Sequence, residues 1–563
     1  MRRFKDRTPA HGTQRGRAAR LVAHAALLLG LASGGALVAC EGCKSSQPRP
    51  AAEAAAAIGP PTLRLYLVSD VAGALEPCGC VKDQLGGLDH AAALVRAGRA
   101  TAPNAALVAA GPLFFMDPTL RDERRAQEIT KAETLAAVLG GLGFVGFAPG
   151  RNDWAAGQPE LAALASASGG AMLVANASAS AGPAPWAGSV VREIGGVKVG
   201  FVGASGLDDP KGGGPISGVI VSSAVEAIKR EAASVRQQGA QIVIAVGALG
   251  RGEAKRIADA VPTLTAVLVG SSSQSGDVNS ETPLPERVGD VLIAETGNHL
   301  QTIAELDLYV RGADFTFEDG AGLALSAKRQ ALMRSIDDLR ARIAIWEREG
   351  KVAASDIAAR KADLERLEAE KVTLDAPAPP AVGSFFRYAI VEVREGVGKD
   401  DAVNAQLHAY YKKVNAANKL AFAGKLPPAP APGEASYVGI DKCTVCHEEA
   451  RAVWDKTAHK GAYTTLSAQS KEFNLDCVSC HVTGYDRPGG STVTHVDKLE
   501  AVQCEVCHGP GSKHAANPSV APPVARPGAD SCRSCHHPPH VHSFDALAKL
   551  PEVLGPGHGR PKQ

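Results

Sequence analysis

The pattern Cys-x-x-Cys-His occurs four times between residues 437 and 544: Cys443, Cys446 and His447; Cys477, Cys480 and His481; Cys504, Cys507 and His508; Cys532, Cys535 and His536. This is the attachment pattern of c-type haem. The two thiols form thioethers to the porphyrin vinyl groups, and the adjacent imidazole becomes the proximal iron ligand. Two intervening residues let one turn of backbone set both sulfurs at one ring edge with the His under the iron. Zinc knuckles and disulfide frameworks also use paired cysteines, but neither requires a His directly after each second Cys. Four haems on 108 residues leave too little peptide for a conventional core. Short helices and loops ordered by iron ligation are expected there, unfolded without the cofactor.

Axial ligation narrows by elimination. The methionines are Met1, Met116, Met172 and Met333, so His/Met ligation, which raises potential, is locally unavailable. Ten histidines fall in the segment. Beyond the four proximal ones, His459, His495, His514, His540 and His542 are the distal candidates, with His537 as the spare. That supply suffices for four bis-His irons and predicts low-potential electron transfer.

The region resembles the tetrahaem cytochrome c-554 family. The resemblance rests on Tyr437-Val438-Gly439, on Trp454 followed by Thr457-Ala458-His459, and on the run from Gln503 through Cys504-Glu505-Val506-Cys507-His508-Gly509-Pro510-Gly511-Ser512-Lys513-His514. It implies closely stacked haem pairs, with His459 and His514 as distal ligands to haems other than their own. In that family one iron can lack a distal ligand, which separates a wire from a catalyst.

The chain of 563 residues is too long for one core, and 60 basic against 59 acidic side chains give no electrostatic case for nucleic acid. Twelve cysteines include the eight above and Cys40, Cys43, Cys78 and Cys80. A basic start, the apolar run 21–38 and Leu37-Val38-Ala39-Cys40 resemble a bacterial lipoprotein signal. This implies a signal peptide over 1–39, acylation of Cys40, export to the periplasm and membrane anchoring, with Glu41 pointing to the outer membrane. Residues 40–61 read as a flexible tether.

Over 62–311, short apolar runs alternate with helical periodicity. Strands are expected at Leu63–Ser69, 105–110, 172–176, 197–203, 241–246, 264–270 and 291–296, and helices at 124–139 and 223–238. The alternation argues for a layered α/β domain. It resembles the metallophosphatase domain of the 5'-nucleotidase family at Leu67-Val68-Ser69-Asp70, Gly86-Gly87-Leu88, Gly150-Arg151-Asn152-Asp153, Val174-Ala175-Asn176 and Thr296-Gly297-Asn298-His299. That resemblance implies an α/β/β/α sandwich whose strand ends hold two metal ions. The departures fall on the chemistry: Ala72, Ala109, Pro112, Ala248, Ser271 and Ser273 stand where the family places ligands or their partners. One surviving carboxylate, Asp70, cannot hold two divalent cations, so no dinuclear centre is expected and a scaffold or binding role remains. The nearby Cys78-Gly79-Cys80 reads equally as a redox dithiol serving the haems and as a local staple; a C-x-C pair also suits a soft metal.

Residues 312–425 read as a connector, with a helical hairpin over 327–348 and 355–373 turning at Glu349-Gly350, a strand at 385–393 and a helix at 400–423. A Pro-rich linker (426–436) leads into the tetrahaem domain (437–545), and 546–563 form a tail. The expected fold is thus multidomain: a metallophosphatase-like α/β sandwich, a helical hairpin, and a mostly helical and irregular tetrahaem cytochrome c domain. Three functions are weighed. The leading one is an anchored electron carrier with a periplasmic or membrane redox partner. The others are an oxidoreductase acting on a small nitrogen or sulfur compound at an open iron, and a phosphoesterase fused to a cytochrome.

Overall fold

The computed structural model describes residues 58–77, 84–207, 215–274, 276, 279–320, 322–374, 378–537, 540–541 and 544–558. Cys40, Cys43, Cys78, Cys80 and His542, and with them the expected signal peptide and most of the tether, lie outside the described residues.

Fifteen strands are described: β1 (Leu63–Ser69), β2 (Ala105–Gly111), β3 (Phe144–Pro149), β4 (Ala171–Met172), β5 (Ala177–Ala179), β6 (Ser189–Ile194), β7 (Val197–Ser205), β8 (Val219–Val221), β9 (Ile242–Ala248), β10 (Ala266–Gly270), β11 (Glu286–Val288), β12 (Val291–Ala294), β13 (Thr302–Tyr309), β14 (Phe317–Asp319) and β15 (Ser384–Glu392). They form a seven-stranded sheet, β14-β15-β13-β1-β2-β3-β4, a six-stranded sheet, β11-β12-β10-β9-β7-β6, and the pair β5-β8. Strands β1 to β4 run parallel, as do β7, β9, β10 and β12.

Continuous apolar strands signal burial on both faces, and the side-chain alternation shows how. Leu63, Leu65 and Leu67 of β1 meet Ile242, Ile244 and Val246 of β9 between the sheets. Tyr66 and Val68 turn to the other face, under α1 (Leu88–Gly98), α2 (Asp122–Gly140) and α3 (Gln158–Ser168). Val243 and Ala245 face α4 (Ala224–Gln237) and α5 (Arg251–Ala260). The result is the four-layer α/β/β/α arrangement.

Two differences from the sequence expectation bear on domain extent. The strand read at 172–176 stops at Met172, because Leu173 makes only an isolated bridge to Ala187. The strand assigned to the connector, β15, pairs antiparallel with β13 from Thr302↔Glu392 to Tyr309↔Phe385. The first sheet therefore does not end at residue 311; its last strand returns after the hairpin.

That hairpin is α6 (Gly322–Glu349) and α7 (Ala354–Val372). Gly350 closes α6 at φ 61, a left-handed position that favours glycine, with its N–H donated to Trp346 O at 3.1 Å. Ser326 Oγ donates to Tyr388 O at 2.7 Å, which holds the base of the arm on β15. The long helix α8 (Asp401–Ala421) is capped by Asp400, whose carboxylate accepts from Val403 N at 2.9 Å. It buries Val403, Leu407 and Tyr410 on the first sheet's helical layer. Just beyond its end, Phe422 joins Leu475, Val478, Val482, Val493 and Val496 in a separate small cluster. Among the described residues no helix is long and apolar enough to cross a membrane.

Candidate functional site

The C-terminal segment is built of helices of one or two turns: α9 (Ile440–Thr444), α10 (Glu448–Trp454), α11 (Ala462–Ser467), α12 (Val478–His481), α13 (Cys504–His508), α14 (Ser512–Ala516), α15 (Ala529–Arg533) and α16 (Ala546–Lys549). Each Cys-x-x-Cys-His lies on or beside such a turn. Cys446 N donates to Cys443 O at 3.2 Å, Cys480 N to Cys477 O at 3.3 Å, and Cys535 N to Cys532 O at 3.2 Å. His447 N and His536 N reach back to Cys443 O and Cys532 O at 3.0 and 2.9 Å. One turn thus gathers both sulfurs and the imidazole of a motif. The eight motif cysteines are thiols rather than halves of disulfides. Cys443 and Cys504 act on one another's ionisation, as do Cys480 and Cys535, which sets the first motif beside the third and the second beside the fourth.

The residues around the third motif act as a staple. Buried Glu505 accepts from Val438 N at 3.1 Å, Gly439 N at 2.8 Å and Gly511 N at 2.7 Å. Gln503 Oε1 accepts from Ile440 N at 2.7 Å, while its Nε2 donates to Lys498 O and Glu500 O at 2.8 Å each. Gly439 sits at φ 81, where a Cβ would come within 2.8 Å of Lys498 O. The Tyr-Val-Gly and Gln-Cys-Glu pieces of the sequence are therefore two halves of one contact.

Two pairs of imidazoles face one another across the first and fourth motifs. His447 and His514 have ring centroids 6.2 Å apart at 28°, and His459 and His536 are 6.3 Å apart at 43°. A metal–imidazole bond is about 2.0 Å, so two nitrogens across one ion stand about 4 Å apart and their ring centres about 6 Å apart. Both pairs match that span. His514 Nδ1 donates to Val520 O at 2.7 Å, His481 Nδ1 to Ala462 O at 2.5 Å and His508 Nδ1 to Val524 O at 2.9 Å. With Nδ1 so engaged, Nε2 is the lone-pair nitrogen left for a metal. Burial holds His459 and His536 below the usual imidazole range, which favours the neutral, ligating form.

The remaining candidates are placed differently. His495 turns Nδ1 to the hydroxyls of Thr494 and Thr492 at 3.2 and 3.4 Å. His540 packs edge-on against His537 at 5.3 Å. His558, in the tail and outside the sequence candidates, is exposed, and partial desolvation together with the charges of His508 and His447 holds its pKa down. The sequence signal for it was a further histidine beyond the fourth motif, in a segment that carries no other pattern.

A cavity of about 2520 Å³ separates the second and fourth motifs from the α/β domain. Cys477, Cys480, His481, Cys532, Cys535 and His536 line one wall, and Asp117, Asn279, His299 and Gln301 line the other. Small-molecule pockets span about 300–1,000 Å³, so this space is of the scale of more than one macrocycle. Donor set, thiol spacing and space together fit haem.

The α/β cleft fits a metal pair poorly. Asp70 Oδ1 and Oδ2 both accept from Ser271, from its N–H and hydroxyl at 2.8 Å each. Burial pushes the Asp70 carboxyl up to about 7. Asn152 Nδ2 donates to Met116 O and Gln274 O at 2.7 and 2.8 Å, and its Oδ1 accepts from Ser273 Oγ and Gln274 N at 3.2 Å. Asp153, also raised to about 7 by burial, accepts from the backbone N–H groups of Leu113, Phe114 and Gly150. His299, lowered to about 4 by burial and the Lys131 charge, is held between Gln274 and Asn279. Among the described residues no three His, Cys, Asp or Glu side chains converge as a metal site.

Comparison with known proteins agrees with the C-terminal reading. Residues 442–509 match the family described as cytochrome c554 and c-prime. Cytochrome c-554 of Nitrosomonas europaea is 34% identical over 94 residues, covering 14% of this chain and 40% of that protein. The chain thus spans less than half the length of that relative. Among solved structures, a 5'-nucleotidase precursor from Thermus thermophilus aligns with a TM-score of 0.41 at 16% identity, over 65% of this chain and 61% of that one. The calcineurin-like phosphoesterase YfkN from Bacillus subtilis aligns with a TM-score of 0.37 at 18% identity, over 45% and 86%. The C-terminal region carries a cytochrome c-554 family domain, which supports a multihaem cytochrome.

Proposed function

We propose that this protein is an exported, membrane-anchored electron carrier. In this reading four c-type haems are held by the paired cysteines of the four motifs, and the α/β domain is a non-catalytic scaffold or binding module. The observation that carries it is the facing of His447 with His514 and of His459 with His536 at the span of a shared metal ion. Bound there, haem supplies a one-electron couple whose potential is low under bis-imidazole ligation. The chain's own part is to hold the rings: carbonyls of Ala462, Val520 and Val524 orient the imidazoles, and the Glu505 staple closes the first motif onto the third. His481 and His508, so oriented, serve as proximal ligands, and His540, His542, His495 and His558 are the pool for the remaining distal positions. The anchor is the acylated Cys40, the location is the periplasmic face of a membrane, and the partner is a periplasmic or membrane-bound redox protein.

A second reading, an oxidoreductase acting on a small nitrogen or sulfur compound, draws on the facing imidazoles, which among the described residues are seen for His447 and His536 and not for His481 or His508. Phosphoester hydrolysis is disfavoured because Asp70 and Asn152 spend their oxygens on Ser271, Ser273 and Gln274. The test is mass spectrometry of the natively matured protein, followed by redox titration with carbon monoxide. Four added porphyrins, low potentials and no ligand binding are expected. No porphyrin mass would overturn the reading, and carbon monoxide binding by the reduced wild type would transfer it to the second.

A further inference from the structure

Helix α2 belongs to the α/β domain, yet one of its faces is polar and buried. Arg124, Gln127, Glu128 and Lys131 follow one another at helical spacing, and Gln127, Glu128 and Lys131 are all buried. What covers them is the loop 473–476, which runs directly into Cys477 of the second motif. Gln127 Oε1 accepts from Leu475 N at 2.9 Å and from Asn418 Nδ2 at 2.8 Å, and its Nε2 donates to Asn474 Oδ1 at 3.3 Å. Asn418 and Asn415 of α8 hold Phe473 O and Phe473 N at 2.9 Å. Arg124 Nη1 donates to Leu475 O at 3.0 Å.

At the centre are four charges. Lys131 Nζ stands 3.1 Å from Asp476 Oδ2 and 3.5 Å from Glu128 Oε2, and Arg124 pairs with both Asp476 and Glu128. Two cations and two anions balance at the edge of the cavity, Glu128 and Lys131 buried, Arg124 and Asp476 partly exposed. Asp476 is the residue before Cys477, and Lys131 lines the same cavity as Cys477, Cys480 and His481. Burial by itself would raise the Glu128 carboxyl, but the Lys131 and Arg124 cations outweigh it and hold the group below the usual carboxylate range, so Glu128 stays ionised.

We propose that the α/β domain is a fixed electrostatic partner of the second haem motif: Lys131 and Arg124, by neutralising Asp476 and Glu128 beside Cys477, position that motif and hold up the reduction potential of its iron relative to an unbalanced site. This rests on the haem reading above. The physical ground is that an added electron is favoured by nearby positive charge, and partly buried charges such as Lys131 are screened less than fully exposed ones. Lys131 and Arg124 are positioning residues, whose polar partners are the Glu128 and Asp476 carboxylates and, for Arg124, Leu475 O. The domain whose own cleft is filled by internal hydrogen bonds thus has a role that needs no catalysis.

The test is spectroelectrochemical titration of the full-length, haem-loaded protein as wild type, K131Q, K131R, D476N and the double variant K131Q/D476N. K131Q leaves an excess negative charge, and one haem of the set should become about tenfold harder to reduce, which is about 59 mV for one electron. D476N leaves an excess positive charge and should shift one haem by a similar factor in the opposite direction. K131R and the double variant should stay near wild type. A role limited to packing would move K131Q and D476N the same way or not at all; either result, with all porphyrins in place, overturns the proposal. Absence of porphyrin mass on the peptide containing Cys477 and Cys480 would instead overturn the haem reading and this proposal together.

Discussion

Replacing Glu505 tests whether the first and third motifs are stapled as described. Its carboxylate is 3% exposed and accepts from three backbone N–H groups, those of Val438, Gly439 and Gly511. A hydrogen bond to a charged group contributes about 1.5–3 kcal/mol net. Counting the buried Gly439 bond in full and the two half-buried ones at half weight gives a loss of about 3–6 kcal/mol for Glu505→Ala. Glu505→Gln keeps one acceptor oxygen but turns an amide toward one donor, so about half that loss is expected. Neither variant touches a thioether cysteine or an imidazole. The assay is guanidinium denaturation of the haem-loaded protein, followed in the haem absorption band and in the far-ultraviolet, with stability taken from the midpoint and slope. A Glu505→Ala midpoint within about 1 kcal/mol of wild type, with the haem complement intact, would refute the staple.

Three further outcomes follow from the site. His514→Ala should open the iron facing His447, giving a high-spin ferric signal and carbon monoxide binding at one haem. His495→Ala should open a further iron in the same way, because its Nδ1 turns to Thr492 and Thr494 and leaves Nε2 for a metal; an unchanged spectrum would remove it from the distal pool. Asp70 has an ordinary value of 3.8 and is raised to about 7 by burial, so between about pH 4 and 7 the folded state holds a proton that the unfolded state has released. Its contribution to stability is full below that window and lost as pH rises through it. Asp70→Asn can meet both Ser271 groups without ionising, and should raise the melting temperature at pH 8 and flatten its decline between pH 4 and 7; an unchanged decline would sink this account.

Much of the candidate site has a local signature in the chain itself. Each motif needs only one helical turn, and His459 and His514 stand in local patterns that resemble a known family. Local legibility extended to β1, β9 and the hairpin, whose hydrophobic periods of two and of three to four are properties of neighbouring residues.

What the chain alone determined was therefore short-range: which cysteines and histidines share a turn, and which stretches alternate as strands or wind as helices. Tertiary structure decided the rest. It sent β15 back across some eighty residues to pair with β13, set His514 opposite His447, and turned the polar stripe of α2 inward. A stripe of Arg124, Gln127, Glu128 and Lys131 reads on its own as a solvated face. It is buried here because Leu475 and Asp476, more than three hundred residues later, supply the hydrogen-bond and charge partners that make its desolvation tolerable. No local pattern encodes a partner that distant; only the folded chain brings it into contact.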